Sequence, residues 1–135
     1  FKGCNDGKFR ILVFSKTAGF RHKSIENGKA MFLKIASENG YKVDTSENAS
    51  IFTDENLKKY NAIVFLSTTG DILNGNQQVA LERYIQSGGG FVGIHAATDT
   101  EYDWPWFCQM VGGNFESHPH IQKATINVLD KSHPS

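Results

Sequence analysis

Three short apolar runs each break off into a polar loop: Phe9 to Ser15 (FRILVFS), Ala62 to Leu66 (AIVFL) and Phe91 to Ile94 (FVGI). A strand with one wet face alternates apolar and polar residues, and the first two runs do not. They read as strands covered on both faces, which is how strands of a parallel sheet look. Helical patterns fill the gaps between them. Ile25, Phe32, Ile35 and Ala36 recur at helical spacing, with Ser24 as N-cap, Glu26 in the first turn and Asn39-Gly40 as the stop. A weaker strand at Tyr41 to Thr45 and a short helix from Asp54 to Lys59, capped by Thr53, come next. Gln77 to Ser87 sets Leu81, Tyr84 and Ile85 on one stripe, and Gly88-Gly89-Gly90 closes that helix and turns the chain into the following strand. Trp104 to Met110 reads as a helix entered through Pro105, and Ile121 to Leu129 as an alternating strand through Ala124, Ile126 and Val128. Strand and helix in alternation with short connections predict an α/β doubly wound, mostly parallel sheet of the flavodoxin-like type.

At 135 residues the chain has the length of one domain, placed here at 9–135 behind a short tail at 1–8. Fourteen basic residues balance fourteen acidic ones, which argues against a nucleic-acid partner held through net charge. No apolar run is long enough for a transmembrane segment. Two cysteines, Cys4 and Cys108, are too few for a disulfide framework. Gly3-Cys4 has two readings: the lipidation point of a bacterial lipoprotein signal, which would put the protein in the periplasm, or part of a plain N-terminal tail.

In a sheet of this kind ligands collect beyond the C-terminal strand ends, so the loops Lys16 to Lys23, Ser67 to Asp71 and His95 to Asp103 should share one rim. Arg21 and His22 stand just before a helix and would offer donors to an anionic or hydroxyl-rich ligand; the alternative is a solvated loop. Gly93-Ile94-His95-Ala96-Ala97 has the small-x-x-x-small rhythm of a nucleophile elbow, with His95 at the elbow position. An imidazole there suits acid or base chemistry, with Asp99 four residues on to orient it, while a thiol- or hydroxyl-based hydrolysis is disfavoured. Trp104, Trp106 and Phe107 beside Tyr102 and Asp103 fit either a carbohydrate, which stacks its C–H face on rings, or core packing. His118 with His22 and His95 admits a metal site, although no helical ligand spacing supports one.

At these residues the sequence resembles the ThuA-like, or trehalose-utilisation, family, whose fold is akin to the class I glutamine amidotransferase domain. The matching stretches are Gly19-Phe20-Arg21-His22-Lys23-Ser24-Ile25, Tyr60 to Asp71, Gly88 to Ala97, Asp103-Trp104-Pro105-Trp106 and Ser117-His118-Pro119. The resemblance implies a pocket built on Arg21, His22, His95, Asp99 and His118 and a role in sugar metabolism. His95 stands where the amidotransferase relatives carry their cysteine, so glutaminase activity is not expected. Family domains are longer, so the sheet is expected to be incomplete at its C-terminal side, with an open edge.

The leading expectation is therefore a protein that binds or processes a sugar or oxidised sugar derivative, with His95 and Asp99 catalytic and Arg21, His22, Trp104, Trp106 and His118 binding substrate. As an enzyme it would be a hydrolase, isomerase or lyase with histidine acid/base chemistry and no required cofactor. Two alternatives remain open: a noncatalytic carbohydrate-binding module resting on the tryptophans, and a metal-dependent hydrolase. Oligomeric state is left open.

Overall fold

The computed structural model describes residues 9–133. The expected N-terminal tail, with Gly3-Cys4, lies outside the described residues. Strand β1 (Arg10–Phe14) leads into helix α1 (Ile25–Asn39), β2 (Lys42–Ser46), a 3-10 turn (Ala49–Ile51), α2 (Asp54–Leu57) and β3 (Ala62–Leu66). Helix α3 (Gly75–Gln86), β4 (Gly90–Ile94), a 3-10 turn (His95–Thr98) and α4 (Pro105–Val111) complete the order. The strands form one sheet in the order β2-β1-β3-β4, every pair parallel. This is the doubly wound α/β architecture that the alternation predicts.

The strand sequences explain the layering. Leu12, Phe14, Ile63 and Phe65 point to one face and pack with Leu57, Leu81, Tyr84 and Phe107, which brings α2, α3 and α4 onto that side. Val13, Val64 and Leu66 point the other way, against Phe32 of α1. The two central strands are thus covered on both faces, as their unbroken apolar runs require. Phe65 is the hub of the larger core, with its ring against Phe14, Phe52, Phe91 and Phe107.

Helix ends follow the expected residues with one difference. Gly40 ends α1 in the left-handed region, Thr53 caps α2 through Asn56 N, and Gly88 turns with φ 96° between α3 and β4. Ser24 occupies the N-cap position of α1, but its backbone is already helical and its side chain makes no capping hydrogen bond.

The expected strand from Ile121 to Leu129 is a correction. That segment has no regular structure, and Ile121, Ile126, Val128 and Leu129 are exposed. Alternation supplies an apolar face but not a ladder, and an unpaired strand leaves its N–H and C=O groups to water. Among the described residues no strand pairs with the free side of β4. Among the described residues no helix is long and apolar enough to cross a membrane.

Candidate functional site

The rim loops are stitched together by the stretch that follows β3. Thr69 O accepts from Ala18 N at 2.7 Å, and Thr69 Oγ1 donates to Phe20 O at 2.9 Å, which ties down the loop after β1. On the other side Gly70 N donates to Asp99 O at 2.7 Å and the Thr68 and Thr100 hydroxyls meet at 2.9 Å, which ties down the loop after β4. Gly70 is required between them: its φ is 74°, and a Cβ there would come within 3.1 Å of Gly19 N and the Ala18 side chain. This seam brings residues some seventy positions apart in sequence onto one wall.

His95 follows β4 with φ 56°, a left-handed conformation that few residues with a side chain adopt. The sharp strand-to-3-10 turn matches the elbow rhythm in the sequence, and Gly93 makes room for it, since a Cβ there would lie 3.1 Å from that of Ala97. The turn pushes the His95 ring out to solvent, where it meets His22: His95 Nε2 and His22 Nδ1 are 3.3 Å apart and the rings cross edge to face. His22 in turn lies edge to face with Phe20, a residue 70% exposed.

A cavity of about 330 Å³ opens beside this pair, lined by His22, His95, Asp99, Ser117 and His118 among others. Asp99 Oδ1 accepts from the Tyr102 hydroxyl at 2.6 Å, and the same hydroxyl is 2.8 Å from Phe115 O. Burial and the bond to the Asp99 carboxylate push the Tyr102 phenol up to about 12. Phe115 N also donates to Thr98 O at 3.0 Å, so Tyr102 and Thr98 together fasten the segment that carries Ser117 and His118 to the cavity wall.

Four of the expected site residues therefore share one cavity, and three do not. The Arg21 guanidinium is held by Glu26 and by both oxygens of Glu47, in a cluster that Lys29 completes. Those contacts tie the loop after β1 to β2; the bond to Glu47 raises the Arg21 pKa further, and the same contacts pull Glu47 down to about 2. Trp104 and Trp106 stack on each other with centroids 5.2 Å apart, and Trp104 stacks on Phe107, so both rings pack against the larger core. Asp99 bonds to Tyr102 where the sequence pointed to His95. Phe20, Phe115 and Ser117 were not among the expected site residues, and Tyr102 was expected only beside the tryptophans: their places here arise from contacts between loops, which no local spacing reveals.

Among the described residues no group of three His, Cys, Asp or Glu side chains is placed to hold a metal ion. Cys108 is a half-buried free thiol whose Sγ accepts from Asn114 Nδ2 at 3.1 Å.

Comparison with known proteins agrees with this architecture. No curated protein matches the chain. A solved structure described as that of a ThuA-like protein from Bacteroides uniformis superposes with a TM-score of 0.65 at 29% identity, over 78% of this chain and 44% of that one. The chain thus spans less than half the length of that structure. The model of the ThuA family, described as trehalose utilisation, matches residues 10–135. With nearly the whole chain matched by that model and the sheet shared with a ThuA-like structure, the protein belongs to the ThuA family.

Proposed function

We propose that the protein takes a sugar or an oxidised sugar derivative into the cavity between His22, His95, Asp99 and His118, and transfers a proton on it. The observation that carries this reading is the convergence of three imidazoles and a carboxylate, drawn from three separate stretches of chain, on one cavity of about 330 Å³. Small-molecule sites are concave, with a few convergent polar groups on an otherwise apolar lining, and this one fits that description. The family's link to trehalose utilisation supports a carbohydrate as the ligand.

Each residue has a role that its surroundings allow. His95, exposed on its strained turn, is the acid or base that meets the ligand. His22 touches His95 Nε2 and fixes the ring, and the pair exchanges the proton that His95 takes or gives. Asp99 accepts ligand hydroxyls with its free oxygen while Tyr102 holds the other. Phe20 supplies the exposed aromatic face on which the C–H side of a sugar ring rests, the part that the sequence had pointed to Trp104 and Trp106. Arg21 acts through the loop it braces rather than on the ligand.

Thermal unfolding across a panel of disaccharides and keto-sugars tests the assignment. A ligand at 100 times its dissociation constant adds about 2.7 kcal/mol of stability, which raises the melting temperature by several degrees. The rise is expected for one sugar class and is expected to vanish in His95→Ala, with the unliganded melting temperature little changed. A panel without any rise, or a full rise in His95→Ala, overturns the proposal.

A further inference from the structure

The loops after β1, β2 and β3 border a second, widely open cavity of about 490 Å³, on the same rim but apart from the histidines. It lies beside the point where the β1 and β3 loops leave for opposite faces of the sheet, the crevice at which open parallel sheets take ligands. Ile72 and Leu73, both buried, give it an apolar floor. Lys16, Asn48, Ser50, Asp71, Asn74 and Gln77 supply its polar wall.

Three of these side chains are amides, and the fold has used the oxygen of each. Asn48 Oδ1 accepts from Ser50 N at 3.0 Å, Asn74 Oδ1 from Gln77 N at 3.1 Å, and Gln77 Oε1 from Asn74 N at 2.9 Å. An oxygen committed to a backbone N–H fixes which end of the amide is which, so all three residues are left with NH2 groups to offer. Lys16 gives one proton to Ile72 O at 2.7 Å and keeps two. Glu47 borders the cavity too, but both of its oxygens are taken by Arg21, with Lys29 on one of them. Asp71 is left as the wall's available carboxylate. The wall is therefore rich in donors and poor in acceptors.

We infer that this cavity is a second binding site, for a polyol that carries an oxyanion: a sugar acid or a sugar phosphate. Oxygens that only accept are what a donor surplus calls for, and the anionic group belongs at Lys16. The hydroxyls of the same molecule accept from the three amides and donate to Asp71, the pairing by which amides and carboxylates together read a polyol. The inference is independent of what the histidine cavity binds.

The test uses isothermal titration with gluconate, glucose 6-phosphate and glucose as probes. In the triple variant Asn48→Asp, Asn74→Asp, Gln77→Glu every oxygen that serves a backbone N–H survives and every NH2 becomes an oxygen. Its melting temperature should match or exceed that of the parent. The parent is expected to saturate with gluconate or glucose 6-phosphate and to bind glucose at least about tenfold more weakly, and the triple variant to lose at least about tenfold in affinity for the anion. Lys16→Met, which touches no cap, should lose the anion preference, and His95→Ala should bind as the parent does. Whichever anion binds more tightly tells carboxylate from phosphate. The inference is overturned if neither anion saturates the parent, if glucose binds as well as the anions, if the triple variant and Lys16→Met both bind like the parent, or if His95→Ala abolishes binding.

Discussion

β3 and β4 are neighbours of equal length in one parallel register, yet they live in different surroundings. β3 is paired on both sides and covered on both faces. β4 is paired on one side; Phe91 on one of its faces packs against Phe65 and Phe107, while on the other Ile94 meets the smaller core and Val92 is left exposed. Val64 is 2% exposed and its register partner Val92 is 46% exposed, because α1 covers the sheet over β1 and β3 and not beyond. The difference teaches where the candidate site draws its support. His22 sits on a loop sewn to β3, whereas His95 hangs from the half-covered strand and depends on the seam through Gly70 and Thr100 to stay opposite it.

The sharpest way to break this contrast is to delete a side chain from each strand. Phe65→Ala removes the ring at the hub of the larger core and should cost about 3–5 kcal/mol, whereas Val92→Ala should cost under about 1 kcal/mol; urea unfolding of both variants gives the comparison, and similar costs would erase it. The link between the two regions comes next. Glu101, 1% exposed, accepts from Ile72 N at 2.8 Å, Leu73 N at 2.7 Å and Gln78 Nε2 at 2.6 Å, so the loop after β4 grips the loop after β3 through one carboxylate. Glu101→Ala strands those donors and should cost about 2–3 kcal/mol, while Glu101→Gln, which keeps one oxygen for the two backbone donors, should cost clearly less. Equal losses in the two variants would mean that the oxygen is not what holds the loops.

The smallest effect concerns the anchored side of the rim. Bonds from Arg21 and then Lys29 hold Glu47 down at about 2, against an ordinary 4.5. A lowered carboxylate stabilises the folded state fully above its unfolded value, and that contribution fades as pH falls from about 4.5 to about 2. Glu47 is 40% exposed, so solvent screening limits the effect to about 1 kcal/mol. Stability measured against pH should lose that much of its acid slope in Glu47→Gln; an unchanged slope would mean that the Arg21 cluster contributes nothing to holding the loop.

What was legible in the chain was whatever the local pattern determines. Unbroken apolar runs announced the two central strands because burial on both faces permits no polar residue between them, and Gly40 announced the end of α1 because the turn needs its backbone. The rhythm around His95 announced a sharp turn, and φ 56° is that turn. Contacts between distant loops were not legible. The tie of Arg21 to Glu47, 26 residues on, was hidden because Glu47 reaches it only once β2 lies beside β1. The packing of the tryptophans against the larger core was not legible, because aromatic rings beside carboxylates read alike on a surface and over a core. The alternation from Ile121 to Leu129 describes a face that a strand would present, and it carries no information about whether a partner strand is there to hold it.

The strand order has a consequence for how the chain reaches this state. Among the described residues no two strands joined by a hairpin pair with each other; every ladder is parallel and must wait for a helix-bearing crossover. The pair at the centre is joined by contacts such as that of Arg10 N with Asn61 Oδ1, 51 residues apart. Loop closure at that separation comes before the contacts that reward it, which puts the domain among the slower folders of its size. During synthesis β1 therefore emerges and stays without its central partner until the chain has been made well past residue 60, a long interval for a strand that is apolar on both faces to remain uncovered.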